Sequence, residues 1–214
     1  MAATRTVLLH PAAKPTLFAL ALVPFVGLVV GVLQQTLGPN PAETLIRSLG
    51  DWTLRFLCLT LAITPLRQWT DWVALARYRR LLGVFAAFYA ALHFTAYAVF
   101  DMGLDINEIV RDVAKRPFIL VGTLAFLLML PLAATSFNRA VRALGAARWK
   151  RLHRLVYAIA VLAILHFFWM RAGKRDFAEV FVYAAILGVL LGWRLYRVLG
   201  PRYFMKLGSH NAKG

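Results

Sequence analysis

A chain of 214 residues that is 61% hydrophobic and only 16% charged has too little polar surface for a soluble domain, and its mean hydropathy of +0.66 points to a lipid bilayer. The formal net charge of +16 would suit a nucleic-acid binder, but the bases gather in particular loops, and that distribution excludes the reading. The single cysteine, Cys58, lies in an apolar run, which rules out an intrachain disulfide and any metal or iron–sulfur site built on thiolates.

About 20 helical residues cross roughly 30 Å of hydrocarbon, and six stretches reach that length. The N-terminal MAATRTVLLHPAAKP lacks the pattern of a cleaved signal peptide, so the run after it, about 16–36, is predicted to be a retained first span. The remaining spans are predicted at about 44–66, 80–100, 117–135, 152–170 and 177–199. Helices are expected because each run holds its own backbone hydrogen-bond partners. The predicted fold is therefore an all-α membrane protein, a six-transmembrane-helix bundle forming a single domain over 1–214. Pro24, Pro65 and Pro131 fall within or near the ends of spans, where kinks are tolerated.

Alternating the loops puts the two tails, the 67–79 loop and the 136–151 loop on one side. That side carries seventeen Lys and Arg against one acid, Asp71, whereas the other side carries eight of each sign. The positive-inside rule then places both termini in the cytoplasm, and a bacterial inner (cytoplasmic) membrane fits. Trp52, Trp69, Trp72, Trp149, Trp169 and Trp193 all lie near predicted span ends, where indoles anchor at the interface.

Ionisable side chains inside a bilayer are costly and mark function. His10 and His210 lie in the tails. His93 sits thirteen residues above the cytoplasmic end of span 3, and His166 fourteen above that of span 5. These spans run in the same direction, so the two imidazoles are expected at one depth, where they can supply both axial ligands of a heme iron. The competing reading is that each merely hydrogen-bonds a neighbouring helix. Small Gly83, Ala87, Ala90 and Ala91 leave room for a flat macrocycle. His153 lies thirteen residues before His166, about 20 Å along the axis, too far to share one zinc ion with the pair. It is either a second cofactor ligand or a solvated residue in a basic run.

RRLLGVFAAFYAALH from Arg79, LPLAATS at the end of span 4 and WKRLHRLVYAIAVLAILH in span 5 resemble the ferric reductase-like transmembrane domain family. The small size and LTLAITPLR resemble, more narrowly, the heme-binding membrane subunits of bacterial protein-methionine-sulfoxide reductase systems. The resemblance implies heme b, with His93 and His166 as the outer axial pair and His153 at the inner ligand position. Arg79 or Arg80 stands where the two-heme pattern has its other inner histidine. His153 is then expected to bind a second heme with another ligand, or to contact a flavin, a quinone or a propionate. Arginine there suits an anionic group. The resemblance also implies FMN as a cofactor and electrons from the quinone pool or a cytosolic flavin reductase. The acceptor it implies is a periplasmic molybdenum-containing subunit that reduces methionine sulfoxide in proteins.

Arg47, Asp51 and Arg55 recur every four residues and are expected to form a salt-bridged ladder, with Arg55 alternatively meeting a propionate of the outer heme. In the outer loop, Asp105, Glu108 and Asp112 fit a short amphipathic interfacial helix that could dock a partner. No nucleophile triad, Gly-rich phosphate loop or paired intramembrane carboxylate is present. The chain therefore reads as an electron-transfer subunit whose substrate chemistry occurs on its partner. The alternatives are a stand-alone transmembrane ferric, metal or oxygen reductase, and a non-redox transporter or heme carrier.

Overall fold

Long runs of Leu, Val, Ile, Phe and Ala satisfy their own backbone only as helices. In the computed structural model, which describes residues 8–173 and 175–211 with side chains through 199, every regular element is helical. The charges of Arg5, Arg202, Lys206 and Lys213 and the imidazole of His210 lie outside that description. The helices are α1 (Ala13–Leu33), α2 (Pro41–Thr70), α3 (Arg79–Ala96), α4 (Ile106–Lys115), α5 (Pro117–Ala134), α6 (Asn138–Leu144), α7 (Ala146–Leu152), α8 (Leu155–Ala172) and α9 (Ala178–Asn211). A single π-helical turn, Tyr97–Asp101, extends α3.

Among the described residues, five segments are long and apolar enough to cross a membrane: α1, the stretch Val73–Asp101 containing α3, α5, α7 with α8, and Ala178–Leu199 of α9. The predicted second span folds as α2, a helix of 30 residues, but Glu43, Arg47, Asp51, Arg55 and Arg67 keep it out of that set. Its surroundings explain the difference. Among the described side chains, α2 contributes more buried ones than any other helix, from Leu49 to Pro65, and it packs on α1, α3 and α9. A helix wrapped by protein needs less hydropathy than one facing lipid. α1 is the opposite case, with Leu20, Val23, Val26, Val30 and Leu33 all exposed.

Two hairpins dominate the packing: α2 against α3, and α5 against α8, joined where α3 meets α5. Both Pro-led helices start cleanly. Pro41 follows Asn40, whose side chain accepts from Glu43 N at 3.2 Å, and Pro117 opens α5. α1 is tied on by Tyr89, which is fully buried. Beside Pro24 the Tyr89 hydroxyl donates to Ala21 O at 2.8 Å and accepts from Phe25 N at 3.1 Å. It thus inserts into one i→i+4 step of the α1 ladder. Arg194, within α9, is satisfied by the Leu190 carbonyl at 2.8 Å and by the Leu61 carbonyl of α2.

Two local expectations are corrected. The ladder over Arg47, Asp51 and Arg55 does not form, because Arg47 turns back to Glu43 at 2.6 Å and Arg55 donates to Tyr183 OH at 3.1 Å. Trp52, half-buried, packs in an aromatic cluster with Phe56 and Tyr89. The amphipathic α4 is present and capped by Asp105. Its Asp112, however, is buried, accepting from Tyr97 OH at 2.8 Å and pairing with Arg116 at 2.9 Å.

Candidate functional site

His93, late in α3, and His166, late in α8, are brought face to face across the gap between the two hairpins, with ring centres 6.1 Å apart. Each ring has one nitrogen committed. His93 Nδ1 donates to the Ile46 carbonyl of α2 at 2.8 Å, and His166 Nδ1 donates to the Phe118 carbonyl of α5 at 2.6 Å. A carbonyl only accepts, so both imidazoles carry their proton on Nδ1 and keep a lone pair on Nε2. Two metal–imidazole bonds of about 2.0 Å, plus about 1.2 Å from each nitrogen to its ring centre, would place the centres roughly 6.4 Å apart, close to the observed spacing. The observed separation and donor set therefore fit one iron held between the rings.

Both rings line a cavity of about 450 Å³ between α2, α3, α5 and α8, within the range of cofactor sites. Leu54, Leu57, Phe94, Phe126, Ile159 and Phe167 supply apolar walls. One end is polar, with Arg47, Asp51, Asp101 and Arg116. Arg55 lies outside the lining, its guanidinium 4.6 Å from the Trp52 ring centre. Of the small residues singled out in the sequence, Ala90 lines this cavity, whereas Gly83 and Ala87 line another. The sequence reading passed over Gly50 and Gly122, which lie against the two imidazoles.

His153 stands apart from the pair and lines a second cavity, of about 230 Å³, together with Arg79 and Arg80. The structure therefore brings these three together. The motif segments explain how. At the end of α5, Thr135 and Ser136 hydroxyls donate to the Pro131 and Leu132 carbonyls, each at 2.6 Å. The Thr135 carbonyl accepts from Trp149 Nε1 at 2.9 Å, and the Trp149 indole stacks on His153 at 3.8 Å between centres. LPLAATS and WKRLH are thus two halves of one support. His153 Nδ1 donates to Trp149 O at 3.1 Å, which leaves Nε2 buried without a hydrogen-bond partner. A buried lone pair of this kind can accept a hydrogen bond or ligate a metal. Leu57, Met129 and Ile159 line both cavities, so a single layer of side chains separates them.

The family described as "Ferric reductase like transmembrane component" matches residues 49–164, which include His93 and His153 and end two residues before His166. A curated relative from Polaromonas naphthalenivorans, the protein-methionine-sulfoxide reductase heme-binding subunit MsrQ, is 61% identical over 92% of this chain and 90% of its own. The protein of the same description from Herminiimonas arsenicoxydans is 54% identical over 86% and 84%. The magnetosome protein MamZ of Magnetospirillum gryphiswaldense is 42% identical over 87% of this chain but only 30% of its own length. No solved structure matches. By extent and identity of these matches, the chain belongs to the ferric reductase-like transmembrane family and, within it, to the MsrQ family of heme-binding subunits.

Proposed function

We propose that this chain is a six-span membrane cytochrome that binds heme b between His93 and His166 and passes electrons to a methionine sulfoxide reductase catalytic subunit. The observation that carries the reading is the pair of imidazoles 6.1 Å apart, each with Nδ1 bonded to a carbonyl and Nε2 free. The names of the MsrQ relatives, which bind heme within a methionine sulfoxide reductase, support the same assignment. Heme, when bound, supplies a one-electron iron couple. The chain's own residues ligate it, wall it off from water with apolar side chains, and offer Arg47 and Arg116 to its carboxylates at the polar end.

The second cavity is the entry side for electrons. His153 Nε2 contacts a donor or second cofactor there, a flavin such as FMN, a quinone or another heme, with Arg79 and Arg80 nearby for an anionic group. The basic loops put this end, and both termini, in the cytoplasm of a bacterial inner membrane, and α2 is the sixth span. The acceptor is a periplasmic molybdenum-containing subunit, on which the substrate chemistry occurs. Reduced chain in proteoliposomes, mixed with that catalytic subunit, should reoxidise only when methionine sulfoxide is added. Reoxidation independent of the catalytic subunit would favour a stand-alone reductase, and an absence of redox change would contradict the proposal.

A further inference from the structure

In an α-helix each side chain covers the turn N-terminal to its own Cα, so the residue at i+4 normally shields the carbonyl of residue i from lateral approach. Both histidine-accepting carbonyls stand four residues before a glycine: Ile46 before Gly50 on α2, and Phe118 before Gly122 on α5. A Cβ at Gly122 would lie 2.7 Å from His166 Nδ1 and 2.8 Å from its Cε1, closer than packed atoms approach. A Cβ at Gly50 would lie 3.2 Å from both Nδ1 and Cε1 of His93, a tight contact that a small shift of the ring relieves. Elsewhere in the spans, Gly27, Gly188 and Gly192 would meet nothing within 4 Å.

We infer that Gly50 and Gly122 are positioning residues that bare the Ile46 and Phe118 carbonyls, so that each histidine can donate from Nδ1 and present Nε2 to the cavity. The inference rests on the heme reading above and adds the groups that set ligand tautomer and ring position. It also orders the two sites. A Cβ at Gly122 would force a larger ring displacement than one at Gly50, so the α8 ligand is the more sensitive of the two. A donated Nδ1–H raises imidazole basicity, and losing such an outer partner weakens metal retention by about 10- to 100-fold.

The test compares purified full-length chain with Gly122→Ala, Gly50→Ala and Gly188→Ala variants. Low-spin heme spectrum, midpoint potential and size-exclusion profile are read for each. Gly122→Ala should elute as wild type but lose the low-spin signature in most of the protein. Gly50→Ala should keep that signature with a raised midpoint potential, since a weaker donor favours the ferrous state. Gly188→Ala should match wild type in all three. Should Gly122→Ala aggregate, the potential of Gly50→Ala decides. Wild-type spectrum and potential in Gly50→Ala, or in a well-folded Gly122→Ala, overturn the inference while leaving the heme reading standing. A wild-type chain that holds no low-spin heme instead overturns the heme reading on which the inference is built.

Discussion

A neutral imidazole has one N–H and one lone pair, and whatever the N–H can reach decides which nitrogen is left for a ligand. At His93 and His166 that partner is a main-chain carbonyl on the facing helix, an acceptor that does not titrate away. At His153 it is the Trp149 carbonyl one turn earlier. The single layer formed by Leu57, Met129 and Ile159 between the cavities makes the two ends separable by mutation. His153→Ala is expected to leave the dithionite-reduced heme signal of the His93/His166 site intact and to slow its reduction by a donor acting at the basic end. Simultaneous loss of both in an absorption and stopped-flow comparison would contradict separate sites. The two cavity-lining histidines were legible in the sequence because an ionisable residue deep in a span is rare enough to stand out and helix rise fixes its depth. Arg55 was harder to place, because each step of four residues advances about 40° around a helix, so Arg55 lies roughly 80° from Arg47. That rotation takes it off the cavity face and onto Tyr183 of α9. Gly50 and Gly122 were illegible, since a glycine in a span is ordinary until its neighbour across the gap is known.

Single helices here depart from uniform apolarity where another helix covers them. α2 carries charge because protein surrounds much of it, and length and alternation located it in the sequence although its hydropathy did not match the other spans. α1, which is lipid-like on nearly every face, depends on one polar anchor. Tyr89→Phe would leave the opened Ala21–Phe25 step at Pro24 without its inserted hydroxyl, and a buried group stripped of its partner costs about 1–3 kcal/mol. Thermal unfolding in detergent should therefore fall for Tyr89→Phe, with the heme spectrum of the folded fraction unchanged. Unaltered stability would mean that α1 closes its own ladder. The π-helical turn at Tyr97–Asp101 and the inward rotation of Asp112 were not readable beforehand, because both depend on α4 folding back over the end of α3. Amphipathicity alone had placed Asp112 on the polar face.

Across the whole molecule, two helical hairpins clasp a chain of two cavities running from a basic end to an end of balanced charge. Reporter fusions after Gly145 and after Leu199 should report the same side of the membrane, and one within α4 the opposite side. Discordance between the first two would break the six-span arrangement. The central expectation is an iron porphyrin ligated by both His93 and His166, and low-temperature electron paramagnetic resonance of the ferric, detergent-purified chain tests that directly. Wild type should show a low-spin bis-imidazole signal that disappears in His93→Ala and in His166→Ala alike. Retention of that signal in either variant would contradict the account.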